Sequence, residues 1–220
     1  MKTREVIPTI VPETFADLSA KQSVLGAFAP ALHIDVADGV FAPTQTWLPA
    51  GETLPEHNRI FHEAHLMVSE PHEVGLTFAR AGAKRVVGHV EAFKSAEAVF
   101  STFDAWRAAG ASEVGLALLL DTPLATVEPY LARCDSITLM TIATIGRQGI
   151  PFDPRAVARV RELHEKHPEL AIAVDGGVSE SNIAELARAG ASRFSVGSAL
   201  AKADDPRAVY DRLLERANAI

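Results

Sequence analysis

Short apolar runs recur along the chain, and some of them alternate with polar residues at a spacing of two. In LHIDVAD, residues 32–38, three apolar residues alternate with His33 and Asp35. This pattern predicts a β-strand with one apolar and one polar face. Further runs of this kind lie at 5–11, 61–68, 85–92, 113–120, 136–143, 171–177 and 193–200. Several are almost continuously apolar, which is typical of strands covered on both faces.

Helical patterns separate these eight predicted strands. The segment 153–167 has Asp153 as its predicted N-cap and Pro154 in its first turn, and Gly190 ends the helix predicted over 179–189. Further helices are predicted at 71–81, 96–109, 123–132 and 204–217. The proline-containing connection 41–60 is expected to be irregular, with only a short helix.

Strand–helix units repeated eight times in 220 residues predict an α/β fold, a single-domain (β/α)8 TIM barrel spanning residues 1–220. A doubly wound open sheet is the alternative. Its dinucleotide-binding version is disfavoured because no G-x-G-x-x-G follows the first strand.

Composition narrows the class of protein. The net charge is −7 without a basic cluster, so a nucleic-acid partner is not expected. The chain has one cysteine, Cys134, which fits a reducing compartment. Neither a signal peptide nor an apolar run of membrane length is found, so we expect a cytoplasmic protein with no membrane partner.

Polar residues stand near the carboxyl ends of three predicted strands, where (β/α)8 barrels carry their active sites. His33 and Asp35 belong to the second strand, His65 to the third and Asp175 to the seventh. Two imidazoles and two carboxylates that converge suit one divalent ion, Zn, Mn, Fe or Co. On spacing alone, buried structural histidines and helix-capping aspartates remain the alternative.

Glycines follow the last two predicted strands, at the loops where barrels of this kind bind phosphate. The candidates there are Gly176, Gly177, Gly197 and Ser198. The loop after the sixth strand adds Gly146, Arg147, Gln148 and Gly149. Arg147 either pairs with a phosphate through its guanidinium or lies in solvent.

Several segments together resemble the ribulose-phosphate 3-epimerase family, in the family's order and over nearly the whole chain. They are HIDVADGVFAP, HLMVSEP, VGHVEA, LMT and VDGGVSESNIAELARAGASRFSVGSAL. The resemblance implies a metal-dependent isomerase that inverts carbon 3 of a ketose phosphate, of the ribulose 5-phosphate/xylulose 5-phosphate type. It also implies a homo-oligomer, a dimer or a hexamer.

The resemblance also assigns roles to residues. It implies that Asp35 and Asp175 move the proton through an ene-diolate, a two-carboxylate 1,1-proton transfer. It implies metal ligands at His33, Asp35, His65 and Asp175. Contacts to the substrate or its phosphate are implied at Thr9, Met67, Met140, Gly176, Gly177, Gly197 and Ser198.

The chain departs from the family's pattern at its recognition segments. Thr9 replaces a usual serine, and Ala37 replaces a usual methionine. ATIGRQGIPF, residues 143–152, replaces a Pro-Gly-Phe-Gly-Gly-Gln stretch, and FAPTQTWLP after the second strand is also unlike the family. We therefore expect the same type of reaction on a different or less common ketose phosphate.

Two other functions remain open at this point. Another sugar-phosphate barrel activity, of isomerase or aldolase type, is disfavoured because no lysine ends the second or third strand. A non-catalytic sugar-phosphate-binding protein is disfavoured by the complete set of metal and proton-transfer residues. His89 and Glu91 end the fourth strand, either as residues that hold a metal ligand from behind, as pocket residues or as a structural pair.

Overall fold

The computed structural model describes residues 4–147 and 149–219. Eight parallel strands close into a barrel in chain order, and β1 pairs with both β2 and β8. This closure confirms the predicted (β/α)8 barrel and excludes the open sheet. The strands are β1 Glu5–Ile10, β2 Ala31–Ala37, β3 Phe61–Met67, β4 Arg85–His89, β5 Glu113–Leu118, β6 Ser136–Met140, β7 Ala171–Asp175 and β8 Arg193–Val196.

Helices cover the outer face of the barrel. They are α1 Phe15–Leu25, α2 Pro71–Arg80, α3 Ala96–Ala108, α4 Arg155–Lys166, α5 Ile183–Ala189, α6 Ser198–Ala201 and α7 Pro206–Asn218. Two 3₁₀ segments, Val90–Ala92 and Leu124–Arg133, follow β4 and β5.

Alternation along β2 separates the two layers of the core. Leu32, Ile34 and Val36 are fully buried in the layer between the strands and the helices. His33 and Asp35 lie on the opposite, inner face. A second, smaller apolar cluster lies at the barrel mouth and consists of Ala37, Ala42, Met67, Met140, Ile142 and Ile145.

The register between β2 and β3 brings polar residues together. His33 pairs with Glu63, and Asp35 pairs with His65. Since paired residues of neighbouring strands face the same side of a sheet, all four point into the barrel. His62 points outward instead, where its Nε2 lies 2.9 Å from Oε1 of Gln22, as expected of a structural histidine.

The segments between strands differ from the sequence predictions in three places. Residues 124–133 form a 3₁₀ segment and not an α-helix, because Pro129 within it has no N–H to donate. No helix forms within 41–60, all of which is described; a bridge between Asp38 and Gln45 shapes its start. Helix α4 begins at Arg155, with Pro154 at its N-cap, and Asp153 accepts the Arg155 N–H.

Helix α2 packs closely against α3, and the contact generates a prediction. A Cβ added at Gly75 would lie 2.3 Å from Nε1 of the fully buried Trp106. Gly→Ala within a helix normally stabilises, but Gly75→Ala is expected to lower the free energy of unfolding by about 1–3 kcal/mol because it overpacks this contact. Urea denaturation measures the effect. Glu73→Ala on the exposed side of α2 should change it by less than about 0.5 kcal/mol, and a stabilised Gly75→Ala would contradict the packing.

Candidate active site

Four side chains converge inside the barrel at the carboxyl ends of β2, β3 and β7. His33, Asp35, His65 and Asp175 each offer one ligand atom, and these atoms all lie within 4.8 Å of one another. Both histidines are fully buried, and Asp175 is 7% exposed. The structure thus brings together the four residues that the sequence suggested as metal ligands.

The two imidazoles present different nitrogens to the centre of this cluster. Nε2 of His33 lies 3.0 Å from Oδ1 of Asp35 and 3.7 Å from Oδ2 of Asp175. Nδ1 of His65 lies 3.2 Å from each of the same two oxygens. Two imidazole nitrogens and two carboxylate oxygens around one point form a donor set that fits a divalent transition metal or zinc.

The electrostatics of the cluster follow from burial and from these contacts. Burial alone would raise the pKa of Asp35, but hydrogen bonds from His33 and His65 hold that pKa below its ordinary value. Burial would lower the pKa of His65, yet its contacts with Asp175 and Asp35 raise that pKa to about 9. Protons therefore occupy the imidazoles when no cation is bound, and a metal ion must displace them.

His89 and Glu91 lie behind the cluster and do not line the cleft. Nε2 of His89 lies 3.0 Å from Nε2 of His65, and the two rings stack at 5.0 Å. Nδ1 of His89 lies 3.3 Å from Oε2 of Glu91, whose other oxygen accepts the Leu119 N–H at 2.8 Å. Burial, opposed by the hydrogen bond to Glu91, lowers the pKa of His89. The chain of contacts orients the ring of His65 from behind.

A cleft opens above the cluster, bordered by Asp35 and Asp175. The residues predicted to contact substrate or phosphate line it as well. They are Thr9, Met67, Met140, Gly146, Arg147, Gly176, Gly177, Gly197 and Ser198. Gln148 lies outside the described residues.

Glycine is required where β7 leads into the cleft. Gly176 and Gly177 have φ values of 111° and 65°, in the left-handed region that favours glycine. A Cβ at Gly177 would lie 2.7 Å from the backbone nitrogen of Phe152. The backbone can therefore approach the cleft closely at this loop, as a phosphate-binding turn requires.

The two loops that depart from the family's pattern meet each other at the mouth. Ile145 of the loop after β6 and Ala42 of the loop after β2 are buried in one apolar cluster. Gly146, with φ 81°, lies so close that an added Cβ would come within 2.8 Å of the Ala42 Cβ. The two loops thus pack against each other above the cleft.

Other residues at the site were missed from the sequence. Ile142, Ile150, Val178 and Ser195 also line the cleft. The loop positions carry no periodic signal that marks them. Ser195 could have been found from alternation, since it faces inward on β8 as His33 does on β2.

The fold and the site together define a class: a (β/α)8 barrel with a His/Asp cluster and glycine-rich loops at the carboxyl ends of its strands. A model of the ribulose-phosphate 3-epimerase family matches residues 5–201. The chain belongs to this family, and it is an enzyme of the isomerase class.

Curated relatives support this assignment over nearly their whole length. The rice (Oryza sativa subsp. japonica) ribulose-phosphate 3-epimerase, cytoplasmic isoform, is 31% identical over 95% of this chain and 92% of its own. The Mycobacterium bovis ribulose-phosphate 3-epimerase is 33% identical over 97% of this chain and 93% of its own.

Solved structures share the fold at lower identity. KGPDC from Streptococcus mutans has a TM-score of 0.72 at 15% identity, covering 100% of this chain and 99% of its own. A 3-hexulose-6-phosphate synthase has a TM-score of 0.72 at 16% identity, covering 96% and 99%. At these identities the likeness shows the fold alone. Within 4–147 and 149–219, no helix has the length and apolar character needed to cross a membrane.

The affinity of this cluster for a metal ion is expected to depend on pH. Because the pKa of His65 is raised to about 9, a binding ion must displace its proton throughout the neutral range. Metal affinity is therefore expected to rise with pH towards 9, by about tenfold per pH unit for each proton displaced. Competition titration with a chromophoric chelator from pH 6.5 upward measures this slope. A flat profile would contradict the proton distribution described here.

Proposed function

We propose that this protein is a metal-dependent ketose-phosphate 3-epimerase that uses Asp35 and Asp175 as its two proton-transfer groups. The observation that carries the proposal is the convergence of these carboxylates, from strands on different sides of the barrel, on one buried cluster at the cleft. Inverting a carbon next to a ketone requires a proton to leave one face and return to the other. Two carboxylates on opposite faces of a bound substrate meet that requirement.

The two aspartates exchange roles with the direction of the reaction. One, ionised, takes the proton from carbon 3, and the other, protonated, delivers a proton to the opposite face of the ene-diolate. Hydrogen bonds from His33 and His65 hold the pKa of Asp35 low, which favours its ionised form before turnover. Both carboxylates border the cleft and can therefore reach a bound sugar.

His33, Asp35, His65 and Asp175 would hold one divalent ion, and their donor set suits Zn, Fe, Mn or Co. Such an ion, when bound, supplies Lewis-acid stabilisation of the negative charge that develops on the substrate oxygens. The protein's own part is to orient these ligands and to keep the site dry. Met67 and Met140, both 2% exposed, support that second role as apolar walls of the cleft.

The substrate in this proposal is a phosphorylated ketose. Gly176, Gly177, Gly197 and Ser198 offer the phosphate a close backbone approach between β7 and α6. The hydroxyl of Thr9 is buried at the cleft without a hydrogen-bond partner among the described residues, which suits a contact with a substrate hydroxyl. The altered loops after β2 and β6 favour a less common ketose phosphate over ribulose 5-phosphate.

The proposal extends to the setting of the enzyme. We take residues 1–220 as one domain that works as a homo-oligomer, a dimer or hexamer, in the cytoplasm. The rice relative, named as a cytoplasmic isoform, supports this location. Neither nucleic acid nor membrane has a part in the proposed activity.

The first test follows deuterium exchange at carbon 3. The metal-loaded protein is incubated with D-ribulose 5-phosphate and a panel of four- to six-carbon ketose phosphates in D₂O, and carbon 3 is followed by proton NMR. Asp35→Asn and Asp175→Asn are each expected to lower the exchange rate by at least about 10²–10⁴-fold, because each removes a proton-transfer group.

Asp121→Asn is the matched control, since this exposed carboxylate pairs with Arg155 outside the cleft. Its exchange rate should equal that of the unchanged protein. If the metal-loaded protein exchanges deuterium into none of these ketose phosphates, the epimerase proposal is contradicted. That result would favour a non-catalytic sugar-phosphate-binding protein. Efficient turnover of ribulose 5-phosphate would contradict only the altered substrate.

Arg147 provides a separate prediction about the phosphate. Its side chain is exposed and lines the cleft beside the glycine loops. Arg147→Ala is expected to raise KM by about tenfold or more with a small change in kcat, because a charge-assisted contact to the non-reacting phosphate is lost. Arg155→Ala, an exposed arginine already paired with Asp121 and Asp153, is the control. Equal KM values for the two variants would show that Arg147 lies in solvent.

A further inference from the structure

A buried carboxylate stands directly behind one of the predicted metal ligands. Glu63 lies on β3, two residues before His65, and is 2% exposed. Its Oε1 lies 2.5 Å from Nδ1 of His33, and its Oε2 lies 2.6 Å from Nη1 of Arg85. Glu63 does not line the cleft, so a direct contact with the substrate is not its role.

The ring of His33 has one nitrogen on each side of this arrangement. Nε2 faces Asp35 and Asp175, whereas Nδ1 faces Glu63. A neutral imidazole carries a single N–H, and an ionised carboxylate can only accept. Once an ion displaces the proton between Nε2 and Asp35, Glu63 keeps the remaining hydrogen on Nδ1 and leaves the lone pair of Nε2 directed at the metal site. Ser195 Oγ lies 3.1 Å from Nδ1, but a hydroxyl both donates and accepts, so it selects neither form.

Arg85 holds Glu63 in this orientation. Arg85 is 2% exposed, and its guanidinium donates from Nε to Oε2 of Glu113 at 2.8 Å as well as from Nη1 to Glu63. Since arginine has no acceptor, the group that faces its Nη1–H must be an oxygen. Glu113 is shared with Arg193 at 3.0 Å, which fixes the far end of the network.

We propose that Glu63, anchored by Arg85, is a positioning residue that keeps His33 in its Nδ1–H form, so that Nε2 serves as the metal ligand. The inference rests on the metal site of the proposed function. The ion pair between Glu63 and Arg85 in the barrel interior then contributes to metal binding as well as to stability.

Glu63→Gln tests the assignment because an amide has only one oxygen. Arg85 requires that oxygen, so the amide NH₂ turns toward Nδ1 of His33 and favours the Nε2–H form, which cannot ligate. The affinity for Co²⁺ is expected to fall by about 10–100-fold, and the visible spectrum of bound Co²⁺ is expected to change. Competition with a chromophoric chelator gives the affinity.

Glu113→Gln is the matched control. It removes a carboxylate from the same arginine but does not touch His33. Its Co²⁺ affinity and spectrum should equal those of the unchanged protein. If Glu63→Gln and Glu113→Gln bind Co²⁺ alike, the inference is overturned while the metal site stands.

A double variant tests whether Arg85 determines how the amide at position 63 is oriented toward His33. In Glu63→Gln/Arg85→Gln the guanidinium no longer requires the amide oxygen, which can then accept the Nδ1–H of His33. The Co²⁺ affinity is expected to recover relative to Glu63→Gln alone. Absence of this recovery overturns the inference.

A further comparison applies if Glu63→Gln does not fold. The variants Glu63→Gln/Arg85→Gln and Glu63→Leu/Arg85→Gln both lack the buried guanidinium charge. The first should bind Co²⁺ more tightly because only it offers Nδ1 an acceptor at position 63, and equal binding overturns the inference. If the unchanged protein binds no Co²⁺, the proposed metal site fails, and this inference fails with it.

Discussion

Compensation of charge inside the closed barrel is the constraint on which the rest of this structure depends. A charged side chain buried without a partner costs several kcal/mol. Arg85, Glu63 and His33 are each at most 2% exposed, and each has a charged or polar partner within 2.6 Å. The interior is therefore one connected polar network, and the same contacts that make burial of these groups possible also orient them.

The geometry of parallel strands explains why the cluster can form at all. Closure of the sheet directs alternate residues of every strand to one axis, so that residues distant in sequence, such as Asp35 and Asp175, face a common point. The strands are held by the apolar layer beneath the helices, which lies on their other face. Stability and chemistry thus use opposite faces of the same strands.

The sequence predicted those parts of the molecule that follow from periodicity. Alternation in LHIDVAD was enough to place His33 and Asp35 inside, and the spacing of the strands predicted the barrel. Glu63 obeys the same alternation with His65 and could have been identified, but only the register Glu63↔His33 shows which histidine it contacts. The segments 41–60 and 124–133 were predicted less well because proline chemistry and tertiary packing decide their conformation.

In this enzyme, residues on strands are less free to differ from those of its relatives than residues in loops. The proposed metal ligands and proton-transfer carboxylates lie on strands, where the charge network restricts substitution because each change leaves a buried partner unpaired. Ala42 and Gly146 belong to loops that contact each other, and the ring of Phe41 in the first loop lies 5.0 Å from the ring of His89. A change in one loop therefore alters the packing of the other, whereas His33 and Asp175 are held by contacts with Glu63 and His65 on β3. The specificity of the cleft can therefore change through paired loop substitutions while the reaction chemistry stays the same, which is the pattern that the departures from the family show.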